Sequence, residues 1–211
     1  MRCRVPDVNY PKPSTDSSLT IPPHFWRDGG KTQREWLDAT EKFRLIRGNV
    51  IAEAYDLENK LGELVAEIFY PTIPWHQSHD REIYESHNHL RLIFSRTLIQ
   101  PSGFSRRIEL FRVARQQLPQ IADVCSDDLL LQLDKARTVR NRFAHDPIQF
   151  EFTPPPESQI RALLVSRDRT DEITTEYVFA NWRLFCECSS AMTDCLVKLQ
   201  ARFDKFSAGR R

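Results

Sequence analysis

The chain has 211 residues, 40% of them hydrophobic, and a formal net charge of +1. That length and apolar share suit one packed domain, or one domain with a tail, and exclude global disorder. The near-neutral charge excludes nucleic-acid binding driven by a broad basic surface, so any such contact must be local.

The N-terminus, Met1-Arg2-Cys3-Arg4-Val5-Pro6, lacks the apolar stretch of a secretory signal, and no apolar run approaches the length that spans a bilayer. A cytoplasmic protein with no membrane contact is the expectation. Its five cysteines then read as reduced thiols. Cys186 and Cys188 project to different sides of one predicted helix, so neither a disulfide nor a zinc knuckle is expected there.

Residues 1–30 carry Pro6, Pro11, Pro13, Pro22 and Pro23 among Ser, Thr and Asp, the composition of a flexible tail. A helical domain is expected over 31–206, with a disordered tail at 207–211. The first helix pattern starts near Thr32 and carries Trp36, Ala39, Phe43 and Ile46, with Gly48-Asn49 as its expected end. A second runs from Val50 to Tyr70, where Val50, Ala54, Leu57, Leu61, Leu64, Val65 and Ile68 share one face. Pro71 and Pro74 stop it. Residues 72–90 are polar and read as a connection holding a short helix. Leu90–Ile99 and Ser105–Leu118 are helical, with Pro101-Ser102-Gly103 between them.

Ser126-Asp127-Asp128 supplies an N-cap and an acidic first turn for a helix over Asp127–His145. Asp146-Pro147 ends it, because a residue before proline avoids the helical region. The period then changes. Ile148 to Phe152 and part of Ile160 to Val165 alternate, which predicts a small β insertion of two or three strands over about 148–174. A last helix follows from Thr175 to Phe206, burying Val178, Trp182, Phe185, Ser189, Met192, Leu196, Leu199 and Phe203. The fold class is therefore mainly α, an up-and-down helical bundle with a β-hairpin inserted before its last helix.

The helix over Asp127–His145 breaks its own pattern. On a helical wheel at about 100° per residue, Leu133, Ala136, Phe143 and Ala144 lie within about 60° of Leu129, and Arg140 falls at about 20°, among them. Asn141 and His145 occupy an adjoining rim, one turn apart. Lys135, Thr138 and Arg142 fall on the solvent side. An arginine keeps its charge, and an unpaired buried charge is costly. Two readings stay open. Glu58, at the edge of the preceding apolar face, pairs with Arg140 inside the fold and His145 is a helix cap. Alternatively, that face opens on a cleft or a subunit interface.

Arg140-Asn141-x-x-Ala144-His145 resembles the signature of the HEPN superfamily (higher eukaryotes and prokaryotes nucleotide-binding domains), an arginine followed after four to six residues by a histidine. The stretch Phe104-Ser105-Arg106-Arg107-Ile108-Glu109-Leu110-Phe111 also looks like bacterial members of it. Arg81 and His87 satisfy the bare pattern too, but without the following Asn, the Ala before His or a well-defined apolar helix. The resemblance implies a metal-independent endoribonuclease whose site is completed by a homodimer. It implies no cofactor and no metal, RNA as substrate, and a toxin or phage-defence setting with a cognate antitoxin. In that chemistry the RNA 2′-hydroxyl is the nucleophile, His145 trades a proton and Arg140 stabilises charge on the phosphate. Asn141 orients the imidazole or a phosphate oxygen. Glu58, Arg137 and Arg142 are the supporting candidates. The product expected is a 2′,3′-cyclic phosphate. Other members are non-catalytic regulators or adaptors, in which the same pair is structural.

The remaining signals are weaker. His76, His79, His87 and His89 cluster in one polar stretch, but their spacing matches no established metal finger. Trp75 and Trp182 suit base stacking, with packing as the plainer use. No glycine-rich phosphate loop, Gly-x-Ser-x-Gly or His-Glu-x-x-His occurs.

Overall fold

The computed structural model describes residues 31–72, 81–153 and 159–208. The expected flexible tail at 1–30 lies outside the described residues. The chain divides at Ala39–Thr40. Of the first unit the described part is the opening of a helix, and all that follows concerns the second.

The described residues form six α-helices, one π-helical turn and three strands. They are α1 (Lys31–Phe69), α2 (Arg81–Phe94), the π turn (Ser95–Ile99), α3 (Phe104–Gln117), α4 (Pro119–Ala122) and α5 (Asp127–His145). Then come β1 (Ile148–Thr153), β2 (Gln159–Val165), β3 (Thr170–Glu172) and α6 (Thr175–Ala208). The fold is mainly helical with a small antiparallel sheet before the last helix, as expected. No helix among the described residues is long and apolar enough to cross a membrane.

One correction concerns Gly48. The two helices expected on either side of it are the single helix α1. Glycine inside a helix costs about 1 kcal/mol relative to alanine, which weakens a helix without stopping it. The apolar stripe beyond Gly48 outweighs that cost: all seven residues from Val50 to Ile68 that share the face are buried. Nothing lies within 4 Å of where a Gly48 Cβ would stand. Gly48→Ala is therefore expected to raise stability by about 0.5 to 1 kcal/mol, read from urea melts. Unchanged or lowered stability would show that the glycine serves α1 in some other way.

The core joins Leu57, Leu61 and Leu64 of α1 to Ile108 and Phe111 of α3, Leu133 and Phe143 of α5, Leu164 of β2, and Met192 and Leu199 of α6. α2, which fills the second half of the expected connection, buries none of its residues. Its tie to α1 is aromatic and polar: Phe94 meets Phe69 with ring centroids 5.9 Å apart. The Glu67 carboxylate, 2% exposed, accepts from Arg91 at 2.9 Å and from the Thr72 amide and hydroxyl at 2.8 and 2.7 Å. A buried carboxylate with three donors is satisfied.

The π turn closes with the Gln100 amide donating to the Ser95 carbonyl at 2.8 Å, the i to i+5 bond of such turns. Its loose carbonyls are gathered by Arg107. That guanidinium, in a residue 6% exposed, donates to the carbonyls of Ile99, Gln100, Ser102 and Glu58. Gly62 lets α1 close on this knot, since a Cβ there would come 3.0 Å from Ile99 and 3.1 Å from Arg107.

The three strands run in order β1-β2-β3, all antiparallel, with Ile148 opposite Leu164 and Leu163 opposite Glu172. Phe150 of β1 meets Phe43 of α1 with ring centroids 5.7 Å apart, which sets the sheet against that helix. α6 reaches Ala208, past the Phe206 expected as its end and into the segment expected as a disordered tail. Cys125, Cys188 and Cys195 are buried free thiols. Burial, with Glu187 and Asp128 nearby, pushes the Cys188 thiol up to about 12, so it stays protonated and behaves as a small hydrophobe.

Candidate functional site

The site sits on the last turns of α5, and both ends of that helix form for local reasons. The Ser126 hydroxyl accepts from the Leu129 amide at 3.2 Å, and Asp127 and Asp128 occupy the first turn, where the helix dipole favours negative charge. At the other end Asp146 is extended and its amide still donates to the Arg142 carbonyl. Arg47 of α1 donates to the Ala144 carbonyl at 2.7 Å, satisfying one of the carbonyls that a helix end leaves open.

Arg140 is half-buried, while Asn141 and His145 are exposed. Arg140 Nη1 donates to Asn141 Oδ1 at 3.1 Å. The pairing with Glu58 anticipated from the sequence is absent, since no carboxylate lies in ion-pair range of Arg140 among the described residues. The register explains this. Arg47, which meets the end of α5, and Glu58 are eleven positions apart on α1, about 16 Å along the axis. The Arg140 Cα lies on the apolar stripe, but the guanidinium reaches the exposed Asn141, as long cationic side chains do at the edge of a core.

The other two supporting arginines have structural duties. Arg137 bridges to Asp134 at 3.4 Å and donates to Ser105 Oγ at 3.4 Å, and its Nε is buried with no partner. Arg142, expected on the solvent side, is turned to the sheet. Its Nε donates to Asp146 at 2.9 Å, its Nη2 to the Leu164 carbonyl at 3.1 Å and its Nη1 to Asp171. The wheel misplaced it because the surface covering that side comes from the β insertion, which a wheel of α5 alone does not contain. One signal was available: Arg142 and Asp146 stand at the i, i+4 spacing of a helical ion pair. Arg107 was missed in the same way. Phe104, Arg107, Ile108 and Phe111 follow the spacing of an apolar stripe, so position 107 faces inward.

The histidine-rich stretch is not brought together as a site. His87 Nε2 lies 2.8 Å from the Pro71 carbonyl, and His89 is exposed. His76, His79 and Trp75 fall outside the described residues. Among the described residues no group of three His, Cys, Asp or Glu is placed to hold a metal ion. Arg81 of the second Arg–His pattern is exposed and paired with Glu85 at 2.7 Å. Trp182 is half-buried against Phe179, with centroids 6.2 Å apart.

What remains is a polar trio at one helix end, with the groups to handle an anion and a proton. Asn141 Oδ1 is engaged by Arg140, which leaves the amide NH2 as an outward donor. Arg140 keeps its remaining N–H groups for an oxyanion. His145 sits about 7.5 Å further along the axis and about 140° round the helix from Arg140. No family model, curated protein or solved structure matches the chain.

Proposed function

We propose that this chain is a metal-independent endoribonuclease, acting as a homodimer through Arg140, Asn141 and His145. The observation that carries the reading is selective availability. Arg47, Arg107, Arg137 and Arg142 are all tied to carbonyls, hydroxyls or carboxylates of the fold. Arg140 is bonded to the neighbouring Asn141, and Asn141 and His145 face outward. The sequence resemblance to the HEPN superfamily rests on those same three residues and supports the reading.

The chemistry also supplies a reason for two copies. Cleaving RNA at its own 2′-hydroxyl takes one proton from that hydroxyl and gives one to the departing 5′-oxygen. One α5 end offers one imidazole, and two facing ends offer two. The developing charge on the phosphate falls to Arg140 and the Asn141 amide. The bond formed is 2′-O to phosphorus, the bond broken is phosphorus to 5′-O, and no water enters that step. The toxin setting that the resemblance implies adds a cognate antitoxin protein as the partner. The non-catalytic adaptor reading has the near-neutral net charge of +1 in its favour, because it needs no field to draw in RNA.

The test is incubation of purified full chain with single-stranded RNA in excess EDTA. Cleavage that persists there and is lost in His145→Ala is the expected result. Cleavage of equal rate in that variant contradicts the assignment, and a chain that cleaves no RNA leaves the adaptor.

A further inference from the structure

Two thiols meet where the corner between α4 and α5 packs on α6. Cys125 ends that corner, one position before the Ser126 cap of α5, and Cys195 lies on α6. They are 0% and 4% exposed. About 70 residues of chain separate them, yet the Cys195 thiol donates to the Val124 carbonyl at 3.5 Å, and that carbonyl belongs to the peptide bond leading into Cys125. The two thiols are also in hydrogen-bond contact with each other. Both are free cysteines.

Their surroundings make them unequal. The hydrogen bond from Cys125 holds the Cys195 thiol below its ordinary range; burial opposes this, and the Lys198 ammonium one turn along α6 adds to the lowering. The same hydrogen bond, with burial, pushes Cys125 up. Cys195 is therefore the sulfur that ionises first, while Cys125 keeps its proton. Cys188, two turns earlier on α6, is the contrast. It is 0% exposed, and among the described residues no second thiol acts on it. A buried cysteine of that kind serves as a small hydrophobe. A thiol that ionises readily beside one that can resolve it is the arrangement of a peroxide-sensitive pair. The pair also lies shallow, since Ser126 next to Cys125 and Asp194 next to Cys195 are exposed. A small oxidant has little protein to cross.

We propose that Cys125 and Cys195 are a modification site, oxidised by hydrogen peroxide to a reversible disulfide that fastens α6 to the start of α5. The Cys195 sulfur attacks one peroxide oxygen. The S–O bond forms, the O–O bond breaks, and the departing hydroxide becomes water with the proton that Cys195 gave up. Cys195 is then a sulfenic acid. The Cys125 sulfur attacks the Cys195 sulfur, the S–S bond forms, the S–O bond breaks, and a second water leaves with the Cys125 proton. Two thiols are oxidised and one peroxide is reduced to two waters. The bond reinforces a contact that Arg202 of α6 already makes by donating to the Gln120 carbonyl at 2.9 Å. The inference stands whether or not the α5 end cleaves RNA.

The experiment exposes the folded full chain to hydrogen peroxide in EDTA, blocks the remaining thiols with N-ethylmaleimide in denaturant, and maps the peptides by mass spectrometry. A peptide linked through Cys125 and Cys195, and released by dithiothreitol, is expected, with Cys188 alkylated. The oxidised chain is expected to melt about 5 to 15 °C above the reduced one, and Cys195→Ala to show no such rise. Should that variant fail to fold, the peptide map and the paired melts of the unaltered chain still decide. Absence of the linked peptide, a link from either residue to a different cysteine, or an oxidised chain that melts no higher than the reduced one overturns the proposal.

Discussion

Arg142→Ala is expected to cost about 3 kcal/mol of stability, the loss typical when one partner of a buried ion pair is removed. Three elements meet at this guanidinium. Its side chain is 11% exposed, and those of Asp146 and Asp171 are 18% and 16% exposed. Asp146 is the C-cap of α5 and Asp171 lies in β3, while the third bond goes to the Leu164 carbonyl in β2. Alanine would leave both carboxylates poorly hydrated. Asp171 would keep the exposed Arg169 at 2.9 Å, a surface contact worth little. Arg142→Lys is expected to recover only part of the loss, because a single ammonium cannot reproduce a fork that reaches three acceptors. Arg140→Ala, two positions earlier, is expected to change stability by no more than about 0.5 kcal/mol. Urea denaturation of the three variants checks this. Equal losses at 140 and 142 would show that Arg140 is also part of the scaffold.

His145→Ala is expected to lower the rate of RNA cleavage by about 10²- to 10⁴-fold, the usual contribution of a positioned acid or base. Its effect on stability is expected to stay within about 1 kcal/mol, the largest ordinary effect of a cation on a helix dipole at an exposed end. The split between the two readouts is what separates chemistry from architecture. If His145 were only a helix cap, activity and stability would fall together and modestly. Arg142→Ala offers the converse control: activity measured on its folded fraction should be lowered less than in His145→Ala. Initial rates under EDTA, normalised to folded protein, make the comparison.

How far the sequence alone led differs from element to element. The bounds of α5 were legible because both are local. Ser126 caps one end by its own hydroxyl, and Pro147 forces Asp146 out of the helical region at the other. The antiparallel strands were legible from the change of period after Pro147. The continuity of α1 was not, because Gly48 carries a local penalty, whereas the burial that overrides it comes from other elements. The π turn was not legible either. It depends on Arg107 collecting carbonyls eight and five residues upstream, together with one from α1.

The candidate site was legible in part. A guanidinium on an apolar stripe next to Asn141, one turn from His145, marked the α5 end as unusual. The partner chosen for it was not correct, because facing positions on two helices require a register that periodicity does not contain. Arg142 shows the same limit. Its role became visible only once the β insertion, whose Leu164 and Asp171 stand 22 and 29 positions downstream, was placed on α5. Glu58 shows the limit again: its burial was foreseen, and its neighbours were not.

Attack of the 2′-oxygen on phosphorus leaves a 2′,3′-cyclic phosphate, which direct attack of water on phosphorus does not form. The most direct measurement is mass spectrometry of the 3′ ends released when the purified full chain cuts a defined single-stranded RNA in EDTA. A 2′,3′-cyclic phosphate that disappears with His145→Ala is the predicted result; fragments ending in a free 3′-hydroxyl, or an RNA left whole, would contradict it.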